Sequence, residues 1–353
     1  MNYKEHILFT DSDGTTYSVD IPLTSNVKPE ELRENLNLPS YIDLNYHAMK
    51  SVMVILWACV NAHKLHEWYP QVFKKRVSKN PIPALVFGGA AIKIHCMKAN
   101  MQCPIARELK DADFVVPRNQ GDEFFEICLN LDKLFGTMYK SFATLNDKRF
   151  NWKRAGERYR FTTINDINNN GIPKIGMVDV FCNRINLRHK IEIEDAFKFQ
   201  KQNLYTIGLE NLILSKAQYI LDLPRETVEE LKQHEQEHRI LSYPYYARDK
   251  IIIGMEDKDI KDICAILLDH EIGTGNDMIN LEAMKKKLKG DKKLALTVRL
   301  NLKNIVEHSD MLKKWMSKNE ASTVTERINN LLKELPVVDE KWDKPWWNVG
   351  VEI

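Results

Sequence analysis

The order of apolar and polar residues predicts strands and helices that alternate over the first 200 residues. Runs in which every second residue is apolar predict strands, and apolar residues three and four positions apart predict helices. Asn170-Gly171 between two apolar runs is typical of a hairpin turn. The predicted elements are a hairpin over 5–22, a connection with a short helix over 23–44, a helix over 46–77, a strand over 84–87, a helix over 90–99, a strand over 111–116, a helix over 122–145, and a hairpin of 158–164 with 174–181.

Beyond residue 203 helical spacing dominates. The predicted helices are 209–221, 225–241, 257–270, 280–288, 293–307 and 323–335. We therefore predict an α+β fold, in which a small mixed sheet is followed by a helical C-terminal domain. The expected divisions are a hairpin and connection over 1–45, an α+β domain over 46–203, a helical domain over 204–335 and a tail over 336–353, which carries three tryptophans and is expected to pack back on a domain.

Composition and charge add little to this picture. The formal net charge is +2, so any surface for nucleic acid has to be local. The longest apolar run, Val52–Val60, is about half of the roughly 20 residues that a membrane span needs, and no signal peptide is visible. We expect a cytoplasmic protein without a membrane partner. The six cysteines include no CxxC pair and are expected to be reduced.

Three aspartates lie in apolar, strand-like segments. Residues two apart on a strand share a face, so Asp111 and Asp113 are expected to project together, with Ala112 and Phe114 towards the core. Asp179 lies in a second apolar strand, and if the two strands are neighbours the three carboxylates converge. Such a group suits Mg²⁺, or Mn²⁺, and phosphoryl or nucleotidyl transfer. The alternative is that Asp111 merely starts a strand and Asp179 forms a local ion pair.

Gly88-Gly89 separates a predicted strand from a predicted helix. Open backbone N–H groups at a helix N-terminus bind phosphate, and the missing Cβ atoms allow a triphosphate to approach the main chain. Lys93, one turn further on, is a candidate for added positive charge. The alternative is a glycine turn that serves packing only.

The segment 148–161 combines basic and aromatic residues. Basic side chains bind phosphates and aromatic rings stack on bases, so the segment is a candidate RNA contact, and Arg158 and Arg160 are candidates for binding a triphosphate or RNA. The alternative is a solvated, charged hairpin whose aromatic residues belong to the core.

Together these pieces resemble the nucleotidyltransferase superfamily, in which a strand, Gly-Gly, a helix and Asp-x-Asp on the next strand precede a third acid. The matching stretches are Phe87-Gly88-Gly89, Asp111-Ala112-Asp113-Phe114 and Val178-Asp179-Val180. The resemblance covers about residues 84–270 and implies a mixed-sheet nucleotidyltransferase core. It also implies that a nucleoside monophosphate is moved from a nucleoside triphosphate (NTP) to an acceptor hydroxyl on RNA, protein or a small molecule.

Within that superfamily the chain is most similar to the branch of abortive-infection toxins. The residues that carry this likeness are Arg107, Glu210, Lys216, Lys258, Asp259 and Asp262. The likeness implies a catalytic role for Lys216, nucleotide contacts from Arg107 and Asp259, and an antitoxin-type protein partner. Leu109 departs from the pattern, because a Ser or Thr is frequent at that position in the toxins.

The residues around Lys216 point the same way by themselves. Lys216 falls on the apolar stripe of the helix 209–221, where a charge is costly unless an acid or a phosphate meets it. Asp259 and Asp262 could hold it. The alternatives are that Lys216 extends from the stripe to solvent and that the two acids are solvated or stabilise a helix N-terminus.

Two other functions remain open from the sequence. His234, Glu235 and His238 match the H-E-x-x-H pattern of zinc metallohydrolases, on a predicted helix that is polar nearly all round. The other alternative is a nucleotidyltransferase fold without catalysis, in which the helical part binds a partner.

Overall fold

The structure is a computed structural model. It describes residues 4–10, 14–22, 28–135, 139–167, 173–193, 197, 205–219, 241–245, 251–275, 277–339 and 346–348. The chain divides into two units. The first consists of residues 1–94, 108–184 and 192–207, and the second of residues 95–107, 185–191 and 208–353. Two segments that we assigned to the middle of the α+β domain thus belong to the second unit.

The first unit has its strands and helices interleaved along the chain, as in an α+β protein. Its elements are β1 Lys4–Thr10, β2 Thr16–Pro22, α1 Pro29–Asn35, α2 His47–Val60, α3 Leu65–Trp68, β3 Leu85–Phe87, α4 Gly88–His95, β4 Ala112–Val116, α5 Gly121–Asn130, α6 Asp132–Phe135, β5 Lys140–Phe142, α7 Leu145–Arg154, β6 Arg158–Ile167 and β7 Pro173–Cys182. The short strands β8 Arg184–Asn186 and β9 Lys190–Glu192 follow in the chain and lie almost wholly in the second unit.

A five-stranded mixed sheet forms the centre of the first unit, in the order β3-β4-β7-β6-β5. The pairing is antiparallel except between β4 and β7, which are parallel. Residues 205–207 extend the β3 edge, where the Val86 N–H donates to the Tyr205 carbonyl at 2.7 Å. The mixed sheet that we expected is therefore confirmed.

One face of this sheet is apolar and covered by helices. Ala112 and Phe114 are buried on it, as the alternation in β4 predicted. Phe114 lies 5.4 Å from the Phe124 ring of α5, and α2 packs on the same strands. Burial of this face fixes the register, because a slip of one residue would move every apolar side chain to the other face.

The second unit is mainly helical. Its elements are α8 Leu209–Ala217, β10 Leu241–Tyr245, β11 Ile251–Met255, α9 Asp257–Asp269, β12 Ile272–Gly273, β13 Ile279–Asn280, α10 Leu281–Gly290, α11 Lys292–Glu307 and α12 Lys318–Glu334. Helix α8 packs on α9, α10 and α11, and α11 packs on α12. Trp346 and Trp347 of the tail are buried, and the Trp346 indole N–H donates to Thr297 Oγ1 at 2.9 Å, so the tail packs back as expected.

Several predicted elements need correction. The helix over 46–77 ends at Val60, where the Asn61 backbone N–H and side-chain amide both donate to the Trp57 carbonyl. In place of the helix over 122–145, α5 ends at Asn130 and the short helix α6 ends at Phe135. Tyr139 and Ser141 both donate to the Cys128 carbonyl and begin the edge strand β5. That strand has three residues, too few for a visible alternation.

The prediction of a purely helical region after residue 203 was wrong, because the antiparallel pair of β10 and β11 lies within it. The short helix α7 was not predicted at all. The predicted helix over 225–241 lies almost wholly outside the described residues. All six cysteines are free. Among the described residues no helix combines the length and the apolar character needed to cross a bilayer.

Candidate functional site

The turn from β3 into α4 requires glycine at its first position. Gly88 has φ of +65°, in the left-handed region where a side chain is strained. A Cβ placed on Gly88 would also collide with the Asp113 carboxylate. Gly88 and Gly89 form the buried first turn of α4. The sequence therefore uses glycine because the backbone and a carboxylate of the next strand come into close contact.

A row of residues crosses four strands at one level of the sheet. Phe87 pairs with Asp113, Asp113 with Asp179, and Asp179 with Arg160. Residues paired across neighbouring strands project to the same face, with about 5 Å between the strands. Asp113 and Asp179 are therefore neighbours on the face opposite Phe114. This juxtaposition is the one that the sequence predicted.

Asp111 lies at the start of the same strand. It precedes β4 by one residue and is exposed, whereas Asp113 is half-buried. The Met177 backbone N–H donates to Asp111 Oδ1 at 3.1 Å. This hydrogen bond fixes Asp111 beside β7, two residues along that strand from Asp179, so the three carboxylates lie on adjacent strands.

Asp179 is held by two arginines of β6. Arg158 Nη2 donates to Asp179 Oδ2 at 2.7 Å, and Arg160 donates through Nε to Oδ1 at 2.9 Å and through Nη2 to Oδ2 at 3.1 Å. The Asp179 side chain is 11% exposed and that of Arg158 is 8% exposed. The local ion pair that we considered for Asp179 is thus present. It involves the two arginines that we assigned to a triphosphate or RNA.

Aromatic rings flank these guanidinium groups. The Arg158 guanidinium lies 4.4 Å from the Phe181 ring centre and the Arg160 guanidinium 4.5 Å from the Phe150 ring centre. Phe150 belongs to α7, and Asn151 of the same helix exchanges hydrogen bonds with the Arg160 backbone. Sequence reasoning did not identify Phe150 or Phe181 as part of this cluster. The alternation of Arg158 and Arg160 along a strand was the available signal.

Both guanidinium groups of the cluster are bound to Asp179. Asp113 belongs to the neighbouring strand β4, and Asp111 immediately precedes that strand. Neighbouring carboxylates repel one another unless a cation lies between them.

Lys93 is placed differently from our expectation. Its ammonium group lies 3.2 Å from the centre of the Tyr46 ring, and the side chain is buried. The phosphate contact that we expected beside Gly88 and Gly89 is not the arrangement found here. A cation–π contact with Tyr46 takes its place, because α4 directs this side chain to the interior.

The second unit contains a separate buried network of charges. Lys216 Nζ lies 3.0 Å from Asp259 Oδ1 and 2.9 Å from Asp262 Oδ2. Arg107 binds the other side of Asp262 through two hydrogen bonds of 3.0 and 2.8 Å. Lys216 is therefore held by acids, and the alternative that it extends to solvent is wrong. Arg107 and Asp259, for which the family resemblance implies nucleotide contacts, are both members of this network.

The pKa values in this network follow from its charges. Burial alone would lower the pKa of Lys216, but Asp262 and Asp259 outweigh it and raise the pKa above the ordinary value. Burial would raise the pKa of Asp262, yet Lys216 and Arg107 bring it down to about 2. Burial raises the pKa of Asp259, which Lys216 offsets only in part. Two cations and two acids thus balance each other.

The H-E-x-x-H stretch with His234, Glu235 and His238 lies outside the described residues.

Searches against protein-family models, curated proteins and solved structures found no match to this chain. Any function is therefore argued from the arrangement of the residues themselves.

Proposed function

We propose that the chain is a metal-dependent nucleotidyltransferase that uses the acid-bearing face of the mixed sheet. The observation that carries the proposal is the register of Asp113 with Asp179 on parallel neighbouring strands. Asp111, just before β4, is hydrogen-bonded to the backbone of β7. Gly88 brings the backbone at the start of α4 against Asp113. Carboxylates next to a glycine turn at a helix N-terminus form a plausible seat for a metal-bound triphosphate.

The donor atoms fit Mg²⁺ or Mn²⁺. Asp111, Asp113 and Asp179 offer only carboxylate oxygens, which these hard cations prefer, and a soft ligand is absent from this set. When bound, the metal would neutralise and orient the phosphates of an NTP. The backbone of Gly88 and Gly89 would approach those phosphates closely.

Arg158 and Arg160 have a second use in this proposal. They neutralise Asp179 while no cation is bound, and the same guanidinium groups are suited to phosphate. Binding of a metal and a triphosphate would let the arginines exchange the Asp179 carboxylate for phosphate oxygens. Phe150 and Phe181 would keep them at the site through the exchange.

The reaction itself is a substitution at the α-phosphorus. The acceptor hydroxyl loses its proton, for which the Asp179 carboxylate is the base, once its arginines have turned to phosphate. The acceptor oxygen forms a bond to the α-phosphorus, and the bond from that phosphorus to the oxygen bridging to the β-phosphate breaks. Pyrophosphate leaves with the electron pair of that bond.

The outer face of α7 supports RNA as the acceptor. Lys148, Arg149, Trp152 and Lys153 are exposed there, and Trp152 is 83% exposed. These positions lie on one side of the helix, while Asp147 is buried on the other. Exposed basic residues around a free indole ring are suited to a single strand with stacked bases.

A second candidate function is a non-catalytic protein with the same fold. The two arginines already satisfy the charge of Asp179 without a metal, which favours this reading. A toxin-type role with an antitoxin-type partner rests on the sequence resemblance alone.

The test is transfer of label from each of the four NTPs, labelled at the α-phosphate, to total RNA in the presence of Mg²⁺. We expect labelled RNA with the natural chain and none with Asp113→Asn. The matched control is Asp310→Asn, which removes an exposed acid on a 3₁₀ turn of the second unit. Binding of NTP without transfer to RNA, protein or small molecules would favour the non-catalytic candidate. If the chain neither binds NTP nor transfers label, both candidate functions are contradicted.

A further inference from the structure

Two histidines and an aspartate of the second unit form a group outside the acid-bearing sheet. His95, His270 and Asp277 each offer a ligand atom, and these atoms lie within 4.8 Å of one another. The two imidazole rings are 5.9 Å apart and nearly perpendicular. His270 is buried, whereas Asp277 is exposed, so the group is reached from one side.

The hydrogen bonds of His270 determine which nitrogen can bind a metal. His270 Nδ1 lies 3.0 Å from the Asp277 carbonyl oxygen and 3.2 Å from Asp277 Oδ1. Nδ1 is the ring nitrogen on the Asp277 side, so a metal shared with the Asp277 carboxylate would bind to Nδ1 and replace its proton. A separation of 3.2 Å between Nδ1 and Oδ1 allows both atoms to bind one cation.

The surrounding contacts fix this geometry in advance. Arg327 Nη1 donates to the carbonyls of Leu267 and His270, at 2.5 and 2.7 Å, and so holds the end of α9. The Lys98 N–H donates to Asp269 Oδ2 at 3.0 Å, which ties the segment after His95 to the residue before His270. Both histidines are therefore held by contacts that do not depend on a metal.

We infer that His95, His270 and Asp277 bind a transition-metal cation of the Zn²⁺ class. Two imidazole nitrogens and one carboxylate are a donor set for zinc. The mixed nitrogen and oxygen set disfavours Mg²⁺. Three protein ligands with Asp277 on the open side leave a fourth position for water.

The experiment measures Zn²⁺ binding to the full chain by competition with a chromophoric chelator, with excess Mg²⁺ present. The background is Asp113→Asn, so that the acids of the first unit contribute little. Co²⁺ then replaces Zn²⁺, and the intensity of its visible d–d bands reports a four-coordinate site. Circular dichroism checks that each variant is folded.

About one equivalent of Zn²⁺ is expected to bind. Asp277→Asn should weaken binding by about 10–100-fold, and His95→Ala and His270→Ala by more. The matched controls His308→Ala and Asp310→Asn should bind Zn²⁺ unchanged. Absence of stoichiometric binding, or retention of it in folded His95→Ala and His270→Gln variants, would overturn the inference. So would its loss in a His234→Ala, His238→Ala double variant alone, which would move the zinc to the H-E-x-x-H stretch.

Discussion

The two units each contain a cluster of acids with basic partners, and the clusters differ in charge balance and exposure. In the first unit two arginines are bound to Asp179, and Asp111 and Asp113 are reached by solvent. In the second unit Lys216 and Arg107 balance Asp259 and Asp262, and the lysine and both acids are buried.

This difference separates a partly exposed cluster, for which we propose a ligand, from a buried network whose charges balance. A buried, balanced network contributes to the fold mainly because removal of one member leaves a charge without its partner. A partly exposed cluster of carboxylates, by contrast, is accessible to a cation from solvent. The same residue types therefore have different uses in the two units.

The largest effect is expected from Asp113→Asn. Label transfer to RNA should fall by ~100-fold or more, because the carboxylate that borders Gly88 is lost. The free energy of unfolding should change little, because the carboxamide has nearly the same shape. Transfer assays and urea denaturation of the same preparations measure both quantities. Normal transfer by Asp113→Asn would show that this carboxylate is not needed for the reaction.

Lys216→Ala should act on stability. It leaves Asp259 buried without its cation and Asp262 with Arg107 alone, so the free energy of unfolding should fall by about 3–5 kcal/mol. Lys303→Ala on the exposed side of α11 is the control and should be nearly neutral. Normal stability with lost transfer would instead assign Lys216 to catalysis, as the family resemblance implies.

The pH dependence of stability tests another closed group of the second unit. His189 Nε2 lies 2.8 Å from Thr297 Oγ1, and burial lowers the pKa of His189 from 6.5 to about 4. The unfolded chain takes up this proton near pH 6.5 and the folded chain only near pH 4. The free energy of unfolding should therefore decrease by roughly 3 kcal/mol as the pH falls from about 6.5 to about 4. Above pH 6.5 the full contribution of the neutral histidine is present.

His189→Gln should flatten this part of the stability curve, and His308→Gln, at an exposed histidine, should leave it as it is. Urea denaturation at steps from pH 7 to pH 4 measures both variants. If the natural chain and His189→Gln lose free energy of unfolding equally between pH 7 and pH 4, the buried histidine is not the cause of the loss.

The smallest effect is expected from Trp152→Ala on the outer face of α7. Binding of single-stranded RNA should weaken by ~10-fold, because one stacking platform is lost. Stability should stay within about 0.5 kcal/mol of the natural chain, since the ring is exposed. Trp152→Phe should retain most of the binding in a fluorescence-anisotropy titration. Equal RNA affinity of the natural chain, Trp152→Ala and Trp152→Phe would show that this face of α7 does not bind RNA.

Much of the sheet could be predicted from the sequence, because its strands carry strong local signals. The alternation around Ala112 and Phe114, the glycine pair after Phe87 and the turn after β6 all depend on neighbouring residues. The register of Asp113 with Asp179 could only be supposed, since pairing between strands distant in the chain has no local signal. The strand β5 was missed because it is short, and the helix α7 because the sequence of Leu145–Arg154 is almost wholly polar and shows no apolar stripe.

The partners of the charged residues were harder to predict than the residues themselves. Arg158 and Arg160 were noticed as basic residues, but their engagement with Asp179 follows from the antiparallel register of β6 and β7. Lys216 was recognised as a lysine on an apolar stripe, and the acids suggested for it are the ones found. Arg107 joins that network through Asp262, which lies 155 positions away.

Mn²⁺ binding in the presence of a non-hydrolysable NTP tests the central claim most directly, that Asp111, Asp113 and Asp179 together hold a metal-bound nucleotide. Electron paramagnetic resonance reports the free Mn²⁺ as the full chain is titrated, with His95→Ala as the background. The account predicts that nucleotide and metal strengthen each other's binding in this chain and in Asp310→Asn, and that this coupling is lost in folded Asp113→Asn. Equal coupling with and without the Asp113 carboxylate, or no binding at all, would contradict it.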